Sequence, residues 1–437
     1  MSTTHEDLRI EAPVDALEAV ARLAASGRFQ DYVVYERPGH WVFAGDAIGT
    51  VELTTDEIRV GWDGETRSST WTGRPAAVLD NAIESLPLGN RQAYGWIGFE
   101  FCAYTLDAEQ HLNGVHQLAH LMIPRVEVRI DGAGMTIVGC DDDEREALHA
   151  IASAADEDEP IARPVDVRAD DTDYRGRVAA AVDEIADGRY QKVILSRKVD
   201  LPFQVDMPAT YRLGRAHNTP ARSFLFRMGG LEAAGFSPEL VASVDADGVV
   251  TTEPLAGTRA FGRGVDEDRA ARIDLESDPK EIVEHAVSVR TSMAEIESVA
   301  EPGTSSVSDF MTVRERGSVQ HLASTVRGQL SRRHTHWHAL EVLFPSVTAS
   351  GIPKRESVDT IFRLDDSARG LYSGAVVAVT GDGVLEATLV LRAIYQRDGG
   401  AWLRAGAGVI GQSRPEREFE ETCEKLSSVA PYVVPVR

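Results

Sequence analysis

The chain has 437 residues, 43% of them hydrophobic, which is enough for two or three average domains or for one large layered domain with a sizeable core. A net charge of -24, from 69 acidic and 45 basic residues, excludes nonspecific binding to nucleic acid or to an anionic membrane surface, so an anionic substrate would need a local cation. Cys102, Cys140 and Cys423 are too far apart for a disulfide framework or a zinc site. Together with the polar start MSTTHEDLRIEAPVD and the lack of any membrane-length apolar run, this leads us to expect a cytoplasmic protein.

Residues 1–28 predict one helix with Leu17, Val20 and Leu23 along it, ending at Gly27. From Phe29 to about Gly139, runs such as DYVVYE, HWVFAG, TVELTT and RVEVRI are separated by Pro, Gly and Asp turns, an antiparallel pattern. YGWIGFEF, at 94–101, is aromatic enough for a core strand. The acidic stretch at 141–160 is the clearest shift in composition and sets a boundary near Pro164, between an N-terminal β-rich subdomain (1–165) and a C-terminal subdomain (166–437). Next, DTDYRGRVAAAVDEIADGRY predicts a helix with Tyr174, Val178, Val182 and Ile185 inward and Gly188 as its stop. QKVILSRKVDLPF predicts a strand with Lys192, Ile194 and Ser196 on one face. SFLFRM, LEAAGF and ELVASVDADGVVTTEPLAGTR read as further strands, the last with an Asp247-Gly248 turn, and 370–411 reads as a strand meander.

Two helices carry the strongest chemical signal. In SRPEREFEETCEKL, Ser413 and Glu416 have capping-box spacing, and Phe419, Cys423, Leu426 and Ala430 form an apolar stripe. In SDPKEIVEHAVSVRTSMAEI, Asp278, Pro279 and Glu281 are start signals and Ile282, Ala286, Val289, Met293 and Ile296 are the stripe. Glu281 and Glu284 flank Ile282 as Glu418 and Glu421 flank Phe419. Residues three apart are neighbours on a helix, so each helix offers a carboxylate pair beside its buried face. Two facing pairs would bind a hard cation, best magnesium, which keeps some waters and leaves positions for an anionic substrate. The plainer reading is acid complementing helix dipoles, with Glu421 and Lys425 an ordinary surface pair.

Other residues are ambiguous on pattern alone. Gly406, Gly408 and Gly411 match G-x-G-x-x-G, but no second parallel strand follows the helix, so they predict close backbone approach to something small rather than a dinucleotide site. Lys192 on a buried strand face would be desolvated into a proton acceptor; on a solvent face it would be an ordinary lysine. Glu239 follows a proline turn and reads as a helix or strand start. PLAGTR, 254–259, is a connection or an anion cradle, and Arg392 is a carboxylate clamp or a strand end. His321 and Thr348 carry no functional signal from spacing.

Taken together, KVILSR, FSPELV, TEPLAGTRAFG, ESDPKEIVEHAVSVR, DFMTVRERGSVQHLAST, ALEVLFPSVTASGIPK, RGLYSGAVV, WLRAGAGVI and PEREFEETCEKL resemble the chorismate-utilising enzymes. That superfamily contains the anthranilate synthase large subunits and isochorismate synthases. Within it the segments most resemble salicylate synthases that supply mycobactin-type siderophores. The resemblance implies an α/β (α+β) fold, a large two-sheet sandwich with outer helices of the anthranilate synthase large-subunit type. It implies Lys192 as the base that activates water for attack on C2 of chorismate, and Glu239 as the acid that protonates the departing C4 hydroxyl. Glu281, Glu284, Glu418 and Glu421 would be the magnesium shell, the ion clamping the ring carboxylate. Tyr372, Arg392 and the backbone at Gly406 would hold the enolpyruvyl carboxylate, with Gly257, Thr258 and Lys425 close to substrate and metal. Thr348 and His321 match the salicylate-forming subgroup. Lysine at 192 favours water over ammonia, so no amidotransferase subunit is expected, and the protein is expected to act as a monomer. The implied reaction takes chorismate through isochorismate to salicylate and pyruvate, the second step a largely pericyclic hydrogen transfer. The alternatives are an isochorismate synthase that stops halfway and a chorismate-binding protein without turnover.

Overall fold

A computed structural model describes residues 8–10, 14–114, 116–155, 159–316 and 319–436. Two 15-residue strands, His40–Thr54 and Gln117–Asp131, organise the architecture by pairing antiparallel along almost their whole length. A register shift between Ala47 and Gly49 divides this ribbon into two halves. From its first half a sheet extends through Tyr32–Arg37, Arg222–Met228, Leu231–Ser237, Ala393–Arg397, Gly400–Val409 and Lys192–Leu201. From its second half another extends through Gln92–Ile97, Ala375–Thr380, Leu385–Leu389, Leu240–Val244, Val249–Thr252 and Val319–Gln329.

Strand periodicity explains how these sheets stack. In Tyr32–Arg37, Val33 and Tyr35 point to one side and Tyr32 and Val34 to the other, and both sides are buried. Val33, Tyr35, Phe224, Phe226 and Tyr395 of the first sheet meet Tyr94, Trp96, Val376 and Ala378 of the second in one apolar layer. Each large side chain there contributes roughly 2–3 kcal/mol by leaving water. The outer face of the first sheet is covered by helices Ala16–Ala25, Asp142–Ala152 and Met207–Ala216. That of the second is covered by Pro75–Glu84 and His336–Leu343, while Lys354–Leu364 packs on the Lys192–Leu201 edge of the first. The order is helix, sheet, sheet, helix, as the two-sheet expectation required.

Several expectations shift in detail. The first helix is shorter, Ala16–Ala25, because Asp15 caps it by accepting from Glu18 N. Ahead of it Leu8–Ile10 is a strand paired with Gly134–Val138, and residues 1–7 and 11–13 lie outside the described residues. The aromatic strand stops at Ile97 and FEFCAY forms a 3-10 turn, where the Glu100 carboxylate accepts from the Arg369 and Gly370 backbone. The meander is two hairpins, one in each sheet, and residues 390–392 carry the chain between them, with Arg392 in the left-handed region at φ 52°.

The Ser413 capping box does not form. The second acidic helix is Pro415–Leu426, its start set by Pro415 with Arg414 as N-cap, while Ser413 Oγ accepts instead from Ile410 N. Its apolar stripe of Phe419, Cys423 and Leu426 is buried as expected, and so is Ala430 beyond it. The first acidic helix, Pro279–Val299, is capped by Asp278 and turns His285, Ser288, Val289, Ser292 and Ile296 inward. Ile282, Ala286 and Met293 are only half-buried. Its inner face is polar because His285 bonds Ser324 of the second sheet across the gap, at 2.6 Å.

Candidate active site

The site lies where the edge of the first sheet meets the acidic helices. Lys192–Leu201 pairs with Gly400–Val409, placing Gly408 opposite Ile194 and Gly406 opposite Ser196. A Cβ on Gly408 would lie 3.1 Å from Lys192 Cε, so the missing side chain makes room for the lysine stem. A Cβ on Gly406 would lie 2.6 Å from the Leu195 carbonyl oxygen and 2.8 Å from the Tyr372 hydroxyl. What approaches these glycines is the protein itself. The Lys192 side chain is 13% exposed and its ammonium pairs with Glu284 at 3.2 Å.

Glu239 sits between strands Leu231–Ser237 and Leu240–Val244, its backbone carbonyl accepting from Leu389 N. Its carboxyl is buried. Ser346 Oγ lies 2.9 Å from Oε1, and Thr348 Oγ1 lies 2.7 Å from Oε1 and 2.9 Å from Oε2. Burial pushes its pKa up to about 8 against the opposing pull of those hydroxyls and of the Lys192 charge. At neutral pH it is therefore mostly protonated, the state a proton donor needs. Thr348 faces this acid.

Arg392, at the crossover between the sheets, donates from Nη2 to His321 Nε2 at 3.2 Å. His321 Nδ1 lies 3.0 Å from the Gly257 carbonyl and 3.1 Å from Thr258 Oγ1, which fixes its proton on Nδ1. Burial, then the Arg392 charge, pushes its pKa down to about 3, so it is a neutral support for Arg392. Burial lowers Arg392 to about 10, and it stays cationic at neutral pH. Gly257 has φ 67°, and a Cβ there would lie 3.0 Å from Glu281 Oε2. Lys425 donates to the Gly406 carbonyl at 2.9 Å and pairs with Glu421 at 2.8 Å. Burial acts to raise the Glu421 pKa and to lower that of Lys425, and their mutual attraction outweighs it in both.

The four glutamates come from the first two turns of the two acidic helices, Glu281 and Glu418 from the first and Glu284 and Glu421 from the second. Glu284 pairs with Lys192, Glu281 with Arg259 at 3.2 Å, and Glu421 with Lys425, while the Lys280 charge acts on Glu281, Glu418 and Glu421 and its ammonium lies 3.8 Å from Glu284. Burial first, and then the neighbouring carboxylate, raises Glu281 and Glu418. An all-carboxylate donor set is chemically suited to a hard dication, which would take the place of these side-chain cations. Among the described residues no three carboxylate, histidine or cysteine side chains converge at ligating distance, so the set is two tethered pairs rather than a formed cage.

Residues that sequence reading passed over complete the site. Ser346 is buried against the acid, and its only signal was its place two residues before Thr348. Arg259 ties Glu281 to Asp278 and Asp274. Beneath the lysine strand, Asp365 pairs with Arg369 at 2.8 Å and Arg404 at 3.2 Å and accepts from Ser196, and both guanidiniums flank the Tyr372 ring.

Comparison with known proteins places this geometry. Over 422 residues the chain is 54% identical to a salicylate synthase from Mycolicibacterium paratuberculosis, covering 97% of this chain and 94% of that one. It is 34% identical to anthranilate synthase component 1 from Acetivibrio thermocellus over 59% of this chain and 52% of that one. Anthranilate synthase component I from Streptococcus pneumoniae has the same fold, with TM-score 0.75 and 22% identity over 98% of this chain and 95% of that one. The menaquinone-specific isochorismate synthase from Escherichia coli does too, with TM-score 0.73 and 20% identity over 98% and 93%. The chorismate binding enzyme family matches residues 31–431, nearly the whole sandwich together with every residue of the site, and the chain belongs to that family.

Proposed function

We propose that this protein is a salicylate synthase that converts chorismate through isochorismate to salicylate and pyruvate. The observation that carries the reading is a chain 54% identical to a salicylate synthase that holds both a largely buried lysine, Lys192, and a buried carboxyl, Glu239, contacted by two hydroxyls. Lys192, as the free amine, takes a proton from the water that attacks C2, and Glu239 gives one to the C4 hydroxyl as its C–O bond breaks, so one water enters and one leaves. Arg392, steadied by His321, and the Tyr372 hydroxyl hold the enolpyruvyl carboxylate; Thr258 and Gly257 border the same space. In the second half-reaction a hydrogen moves from C2 to the enolpyruvyl methylene as the ether bond breaks, and the site acts by holding the side chain over the ring.

Glu281, Glu284, Glu418 and Glu421 would hold magnesium, which when bound would neutralise the ring carboxylate. Turning them to the ion exchanges their contacts with Lys192, Arg259 and Lys425. On this reading 1–165 is a β-rich subdomain and 166–437 the chorismate-binding one. The protein works as a cytoplasmic monomer without an amidotransferase subunit and supplies salicylate for a mycobactin-type siderophore. The test is incubation with chorismate, with and without magnesium, followed by chromatography. Equal salicylate and pyruvate with magnesium alone supports the reading; isochorismate alone makes the protein an isochorismate synthase, and no turnover leaves a binding protein. Lys192→Ala should abolish water addition, and near-normal turnover would remove Lys192 from the role of base.

A further inference from the structure

The hydroxyls around Glu239 hold more than a buried carboxyl requires. Ser346 Oγ and Thr348 Oγ1 lie 2.7 Å apart, and each also lies within 2.9 Å of Glu239 Oε1, while of the two hydroxyls Thr348 reaches Oε2 as well. Each hydroxyl owns one proton. If Glu239 were ionised, two protons would have to serve four short O···O contacts. With a third proton on Oε2 three of the four close into a circuit, in which Oε2–H donates to Thr348, Thr348 donates to Ser346, and Ser346 donates to Oε1, leaving Thr348 Oγ1 beside Oε1 as the fourth contact. Oε1 is engaged by both hydroxyls and Oε2 by one, so Oε2 is the oxygen left to face outward.

We propose that Ser346 and Thr348 are positioning residues that place the transferable proton on Glu239 Oε2 and then turn to stabilise the carboxylate left behind. When the Oε2–H bond breaks and its proton goes to the departing hydroxyl oxygen, the Thr348 hydroxyl swings from Ser346 to the carboxylate, while Ser346 keeps donating to Oε1. The same two rotors thus satisfy both protonation states without moving the backbone. The charged groups that act on this carboxyl are Lys192, which favours its ionised form, and Glu253, which opposes it. Neither touches the circuit. Ser346 is central to it, being 8% exposed as a residue and holding both Oε1 and Thr348. The inference rests on the acid role given to Glu239 above.

The test separates that role from the circuit. The Glu239 carboxyl is titrated by infrared difference spectroscopy against a Glu239→Gln background, which needs no turnover. Ser346→Ala should raise the midpoint by roughly one pH unit, because one charge-assisted donor to the carboxylate is gone. Ser346→Thr, which keeps the hydroxyl, should restore it. In chorismate turnover Ser346→Ala should lower kcat roughly tenfold to a hundredfold with KM nearly unchanged, since the lost bond matters most as charge develops. An unmoved midpoint in Ser346→Ala, or failure of Ser346→Thr to restore it, overturns the circuit whatever the turnover. A raised midpoint with unchanged kcat keeps the hydroxyl contacts but overturns their role in proton transfer. If Glu239→Gln turns over normally, the acid assignment falls, and the circuit's part in catalysis falls with it.

Discussion

Glu239→Gln tests the protonation state of the site through stability as well as rate. Glutamine has the shape of a protonated glutamate, so below the folded pKa of about 8 the variant should fit the same hydroxyls with little loss of stability. It has no proton to donate, and turnover should vanish. The sign of the pH effect follows from linkage. Between the ordinary value of 4.5 and about 8 the folded carboxyl holds a proton that the unfolded one has released, so stability falls as pH rises through that window. The slope is about 1.4 kcal/mol per pH unit, so over three units the wild type should lose on the order of 4 kcal/mol relative to the variant. All other titrating groups are common to both proteins and cancel in the difference. Urea midpoints at pH 5 and pH 9 measure it. A gap between the two proteins that does not change with pH would refute the idea that Glu239 is buried neutral.

Gly408→Ala should barely change the melting temperature, because its Cβ meets the flexible Lys192 stem at 3.1 Å, yet cut turnover up to roughly a hundredfold by displacing the ammonium. Gly406→Ala meets the Leu195 carbonyl at 2.6 Å and should instead cost about 1–3 kcal/mol, read as a lower denaturant midpoint. Asp365→Ala leaves Arg369 and Arg404, each with a side chain 1% exposed, short of a countercharge and should cost about 3–5 kcal/mol in urea unfolding. In Glu421→Gln the magnesium titration of activity should move to higher concentration, and an unchanged curve would remove Glu421 from the metal set.

Much of the site was legible because its chemistry is written locally. Glu281, Glu284, Glu418 and Glu421 sit in the first two turns of helices with visible start signals, and Lys192 shares a strand face with Ser196. The missed features depend on distant parts of the chain. Ser346 matters only because Glu239, 107 residues away, arrives beside it. Asp365 looks like a polar residue at a helix end until Ser196, 169 residues earlier, and Arg404 close over it. Periodicity assigns the first acidic helix an apolar stripe because it assumes an oily neighbour; Val289 and Ile296 are buried accordingly, but His285, bonded to Ser324 across a polar gap, and Ser288 and Ser292 take the other inward positions. The Ser413 cap failed because Pro415 already fixes where the helix begins.

The passage at 390–392 makes Arg392 answerable to both halves of the molecule. Ser373 N, in the turn before one hairpin of the second sheet, binds the Val390 carbonyl, while Phe236 N in the first sheet binds the carbonyl of Arg392 itself. The guanidinium that would grip the substrate is thus mounted like a pointer between two plates. Its reach is set by how far apart they stand, which is decided by the bulk of Phe224, Tyr395 and Trp96 in the layer between them. Trimming one of those rings would retune anion affinity from inside the sandwich, with no atom of the binding surface replaced.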